Sequence, residues 1–177
     1  MNSTSTFSQQ SGLAVRPQGG AIAPKKLSQY TYSHLKFQLG NFAALLPTHQ
    51  ILEAITLSAA SLTPMPNMPP AMLGLINRRS QVLWVADLAL LLGIPVIYPN
   101  SQQYSLVLLQ LNQVLIGLRV HEISNIMNLL PEEICVPPAH IPAGIVPFLR
   151  GCYLQDREVL LVLNGESILH APALQST

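Results

Sequence analysis

Charged residues are scarce in this chain. They make up 10% of its 177 residues, against roughly a quarter of an average soluble domain. That is too little charge to coat every face of a small protein. The surface is then either neutral and polar, rich in Ser, Thr, Asn and Gln, or partly covered by partners. Acid is absent until Glu53. Aromatics are few, at 6%, and no basic patch interleaves with Phe or Tyr, so no nucleic-acid partner is expected. Two cysteines, Cys135 and Cys152, form neither a disulfide framework nor a metal spacing. They suit a reducing, cytoplasmic setting. No apolar run reaches the roughly 18 residues of a membrane span. The polar N-terminus, MNSTSTFSQQSG, has no hydrophobic core of a secretory leader. Direct membrane insertion is therefore not expected.

Catalytic patterns are also missing. None of the five histidines (34, 49, 121, 140 and 170) pairs with another at helical ligand spacing, and there is no HExxH. GxSxG, GxxxxGK[ST] and GxGxxG are absent. Cys135 or Cys152 with a histidine is the conceivable nucleophile and base; of these, Cys135 and His140 lie together in a proline-rich loop. No catalytic residue, metal or cofactor is expected.

The charges present are unevenly spread. Residues 1–36 hold Arg16, Lys25, Lys26 and Lys36 and no acid. Residues 37–177 hold five Arg against eight acids, a net of −3. Residues 1–33, rich in Ser, Thr, Gln, Gly and Pro, cannot bury enough surface to offset ordering entropy and read as a disordered leader. From His34 the pattern becomes β-like. Leu35, Phe37 and Leu39 alternate with polar residues, Gly40-Asn41 turns, and Phe42–Leu46 returns. Ile51–Leu57 is a third strand, and Pro64, Pro66, Pro69 and Pro70 make a link. Leu73–Ile76 and Val82–Ala86 flank a turn at Asn77-Arg78-Arg79-Ser80. Asp87 then caps a short helix ending at Gly93.

The same grammar follows again. Tyr104–Leu111 and Val114–Val120 form a hairpin across Asn112-Gln113, and Glu122–Leu129 is the next strand. After another proline link, Val146–Leu154 and Val159–Leu163 form a last hairpin, and Ser167–His170 a closing helical turn. The repeat predicts a mainly β protein of two small barrels with short helices. Lobe one is expected at about 34–93 and lobe two at about 104–170, with 171–177 as a tail.

One constellation stands out. Asn77, Arg78 and Arg79 interrupt an otherwise apolar run, AMLGLINRRSQVLWVADLALLLG. Glu53 is a lone acid in an apolar strand of the same lobe. Charges so placed need partners, and a Glu53–Arg79 pair between neighbouring strands would settle both, with bidentate geometry open to it. Such a pair either fixes strand register or presents a charge to a partner.

At these residues the chain resembles the CheW-like family, the adaptor domains of bacterial chemosensory arrays. GLINRRSQVLWVADL is similar to the family's strand, N-x-R-G turn, strand and DL signature. ILEAI resembles the strand that supplies the family's functional acid. QVLIGLRVHEISNIMNL and YLQDREVLLVLNGESIL resemble the second hairpin and the closing hairpin with its helix. Together these cover residues 34 to 170. The resemblance implies two five-stranded SH3-like barrels side by side and a function without catalysis. It implies an adaptor joining the signalling tip of a methyl-accepting receptor to the regulatory domain of a CheA-type histidine kinase, in the cytoplasm at receptor arrays. Glu53 matches the acid and Arg79 the arginine that pair in the family. Asn77 matches the turn asparagine. Ile51 and Ile55 match apolar positions lining a receptor-facing groove. Asp87 and Leu88 match the DL that opens the helix. Ser80 in place of Gly, Arg78 in place of Leu, Trp84 in place of Pro and His121-Glu122 in place of Asp-Gly are departures. They fit a specialised paralogue, with pilus motility or phototaxis as candidate outputs. The alternatives are a generic barrel scaffold in another complex and a Cys/His enzyme.

Overall fold

The computed structural model describes residues 30–98 and 102–175. Most of the leader, residues 1–29, lies outside them. The architecture follows from where the chain can double back. Four hairpins form, and each turns on a left-handed residue. β1 (Tyr32–Leu39) and β2 (Phe42–Pro47) turn at Gly40, φ 58°. β4 (Met72–Arg78) and β5 (Gln81–Asp87) turn at Arg79, φ 49°, and Ser80, φ 64°. β6 (Gln103–Leu111) and β7 (Val114–Val120) turn at Asn112, φ 55°. β9 (Leu149–Gln155) and β10 (Glu158–Leu163) turn at Asp156, φ 46°, and Arg157, φ 72°. Two-residue loops with positive φ match the twist of the strands they join.

β3 (Ile51–Ser58) and β8 (Glu122–Leu129) have no such turn before them. A short 3-10 turn, Thr48–Gln50, leads from Pro47 into β3. Only His121 separates β7 from β8, and its N–H donates to the Gln38 carbonyl of β1 at 2.8 Å. At both places the chain runs onward to the other sheet. The result is two five-stranded sheets, β8-β1-β2-β10-β9 and β3-β6-β7-β5-β4. The mainly β, double SH3-like barrel expected from the sequence is thus present. The lobe division at 34–93 and 104–170 is not. The repeat is real, but each half is divided between the sheets, β1 and β2 joining β8, β9 and β10 while β3, β4 and β5 join β6 and β7, so the lobes interlock.

Both sheets close in the same way. Beyond β3, Thr63 and Leu75 exchange backbone hydrogen bonds of 2.8 and 2.9 Å. Beyond β8, Cys135 and Cys152 do so at 2.8 Å each. A glycine beside each bridge lets the backbones meet. A Cβ on Gly74 would lie 2.2 Å from the Thr63 carbonyl oxygen, and one on Gly151 2.7 Å from that of Cys135. The cysteines, read from sequence as too few for a framework, are free and face each other across this bridge.

The core has three parts. Ile76, Leu83, Val85, Leu106 and Leu108 fill the second barrel, and Ala43, Leu45, Leu129, Leu160 and Val162 one side of the first sheet. The largest cluster takes side chains from both sheets, with Phe37, Leu46, Leu109, Leu118 and Leu161 among them, and cements the lobes. α1 (Leu88–Leu91) buries Leu88 in it, and the Asp87 carboxylate caps this helix by accepting from Leu90 N–H at 3.0 Å. Arg119 lies beside Asp87 on β7, 3.9 Å away, with its guanidinium over the rings of Tyr98 and Tyr104. This, and not Glu53–Arg79, is the buried charge pair. Smaller differences from expectation concern ends. Val146–Phe148 is a 3-10 turn, as Pro147 favours, so β9 starts at Leu149. Asn164 caps α2 (Gly165–Leu169), and α3 (Pro172–Gln175) occupies what the sequence suggested was a tail.

His34 is buried at the start of β1, with Nδ1 donating to the Tyr32 carbonyl at 2.8 Å. Burial, with the nearby Arg150 and His49 charges, lowers its pKa against that hydrogen bond. The unfolded chain therefore binds more protons at this site below pH of about 6.5. Stability is expected to fall as pH drops from about 6.5 toward the lowered value. Thermal melts of the wild-type chain and of His34→Gln check this, since the variant should lose that part of the pH slope.

Candidate partner-binding site

β3 and β4 are the two edges of the second sheet, not neighbours in its ladder. Curling of the sheet brings them together, and the gap between them is bridged by charge. The Glu53 carboxylate accepts from Arg78 Nη2 at 2.6 Å and Nε at 3.3 Å. It also accepts from Arg79 Nη2 at 3.3 Å. Arg78 thus takes the bidentate role expected of Arg79. Strand parity explains this: Arg78 shares the inward face of β4 with Ile76, and Glu53 pairs beside inward-facing Leu108. That parity was available in the sequence. Arg79 sits in the turn, with 72% of its side chain exposed.

Electrostatically the cluster is one carboxylate between two guanidiniums. Arg78's hydrogen bonds, more than its charge or that of Arg79, hold the Glu53 carboxyl below its usual range. The same bonds raise the Arg78 pKa. Ion pairs this accessible contribute little to stability. One excess positive charge remains, carried by the exposed Arg79.

The other expected residues divide. Ile55 lines a cleft of about 360 Å³ between the two edges, with Leu57, Ile76, Asn77 and Arg78. A register shift between Ile51 and Glu53 turns Ile51 away from it, into the cluster between the sheets. Asn77 is not in the turn but on β4, exposed, opposite Val82. Val82 and Trp84 project outward from β5 beside it, 66% and 38% exposed. An exposed tryptophan next to an aliphatic is the composition of an interaction hot spot. Its outward placement follows from alternation with buried Leu83 and Val85. The Cys135 Sγ is turned to the Glu133 carbonyl, 3.6 Å away, rather than to His140. Among the described residues no group of three potential ligands could hold a metal, and no helix is long and apolar enough to cross a membrane.

Interlocked β-barrels with a charge-bridged open edge and an apolar flank define a scaffold-type domain, one that offers surfaces. A family model for the CheW-like domain matches residues 33–173, and the chain belongs to that family. It is a chemotaxis scaffold of the CheW-like kind. The probable chemotaxis protein CheW of Rhizobium etli is 28% identical to it over 149 residues, which cover 84% of this chain and 94% of that one. The crystal structure of the scaffolding protein TtCheW from Thermoanaerobacter tengcongensis superposes with a TM-score of 0.67. That match covers 76% of this chain and 90% of the other at 19% identity, and speaks for the fold.

Proposed function

We propose that this chain is a non-catalytic adaptor coupling methyl-accepting chemoreceptors to a CheA-type histidine kinase at cytoplasmic receptor arrays. The observation that carries this reading is the Glu53–Arg78–Arg79 cluster at the open edge of the second barrel. It adds little to stability, leaves one cation exposed, and borders the Asn77–Val82–Trp84 flank. Those are the properties of a recognition surface, with charge for specificity and an aromatic anchor for affinity. A working interface would bury about 800 Å² on each partner. The adaptor acts by how it holds the kinase, so its output is a change in the kinase's rate.

Trp84→Ala tests the apolar half of the surface. It is expected to weaken binding to the kinase regulatory domain or the receptor tip by roughly tenfold or more, with an unchanged circular dichroism spectrum. Unaltered binding to both partners would place the interface elsewhere.

A further inference from the structure

A second cavity, of about 420 Å³, opens at one end of the first sheet. This is within the size range of small-ligand sites. Its walls include Tyr32, Leu129 and Ile134, and its basic groups are His34, His49 and Arg150. None of these belongs to the Glu53 cluster.

The hydrogen-bond accounting at His34 is incomplete. A carbonyl can only accept, so the Nδ1 bound to Tyr32 carries the proton of the neutral ring. Nε2 is then a bare acceptor. It is fully buried and has no partner. An unmet buried polar atom is unfavourable. The charges acting on this ring are Arg150 on β9 and His49 in the turn before β3, and no acid offsets them. Among the described residues no carboxylate lies within ion-pairing distance of Arg150. Glu133, near the lining residue Pro131, is turned back to accept from Leu130 N–H at 2.7 Å. Three basic groups without an acid are unusual in a chain with only nine Lys and Arg.

We propose that this cavity binds a small organic carboxylate, held by Arg150, His49 and Nε2 of His34, with its apolar stem against Leu129 and Ile134. The neutral His34 ring takes up one proton from solvent on Nε2 as the anion enters. Nε2 becomes a donor, and the imidazolium gains the counter-charge it lacks in the empty cavity. Binding therefore tightens with acidification, because the proton that His34 takes up on Nε2 is drawn from solvent.

The test is a titration of the full chain with sodium benzoate, followed by the histidine ring proton resonances in NMR. Benzyl alcohol serves as the uncharged control of the same shape. Saturable shifts of the His34 and His49 signals are expected, with a Kd of about 1 mM or tighter. Affinity should be higher at about pH 6 than at about pH 8. Arg150→Gln, an exposed position, should weaken it roughly tenfold while the amide spectrum stays dispersed. An equal response to benzyl alcohol, no saturation, or full affinity in Arg150→Gln would each overturn the proposal. Since Arg150 is remote from the Glu53 cluster, none of these outcomes bears on the adaptor reading.

Discussion

With Glu53 replaced by arginine, partner binding is expected to fall about thirtyfold or more while the domain stays folded. Glu53 is the sole acid between two guanidiniums. Its reversal leaves three cations facing one another across the β3–β4 gap. The edges then repel, and Arg79 loses the carboxylate that orients it. Folding should survive, because pairs this accessible add little to stability and the Thr63–Leu75 bridge still joins the edges. Glu53→Arg combined with Arg78→Glu restores a pair of opposite charges, and recovery of part of the lost affinity would identify the pairing as what positions the surface. The pH dependence has a definite sign. The carboxyl is held below its usual range by Arg78, so the pairing is intact above pH of about 4.3 and is lost as pH falls through the lowered value. Isothermal calorimetry with circular dichroism controls measures both effects.

Gly74→Ala is expected to be the most damaging single methyl in the domain. Its φ is 143°, a conformation that side chains rarely adopt, and its Cβ would sit 2.2 Å from the Thr63 carbonyl oxygen and 2.8 Å from the carbonyl carbon. Neither is the end of a flexible side chain, so the bridge must open. Backbone strain and overpacking together should cost roughly 3–5 kcal/mol. That corresponds to a fall in Tm of about 10 °C or more for a domain of this size. Gly151→Ala, at the equivalent bridge of the other sheet, should cost less. It carries no left-handed φ, and one of its two close contacts is a movable Ile134 methyl. Thermal melts of the two variants compare them directly. A Gly74→Ala protein as stable as wild type would mean that the second barrel does not close through Thr63.

The hairpins were legible because their chemistry is local. Gly40, Asn112 and Asp156 are residues that tolerate φ above zero, and alternating apolar residues flank them. The repeat was legible for the same reason. Lobe membership was not. It depends on what β3 and β8 pair with, and those partners, β6 and β1, are remote in sequence. The clue was negative: Thr48–Gln50 and His121 lack a left-handed residue, so the chain cannot fold back there. At the site, a lone acid and paired arginines in apolar strands announce themselves, but a partner at the strand end points to Arg79, where strand parity favours Arg78. The two-residue Arg79-Ser80 turn also leaves Asn77 in the strand, where a four-residue turn had been expected. Ser80, read as a departure from glycine, does adopt φ 64°. The buried Asp87–Arg119 pair and the His34 cavity come from chain segments that only the fold brings together.

On the proposed function, the exposed cation beside the β3–β4 gap recognises chemosensory partners. A binding titration of the purified chain tests it, run against a receptor signalling tip and a kinase regulatory domain with Arg79→Glu in parallel. Saturable binding to both partners is expected, weakened for at least one of them in a variant that melts like wild type. Wild-type binding by Arg79→Glu, or no binding of the wild-type chain to either partner, would contradict it.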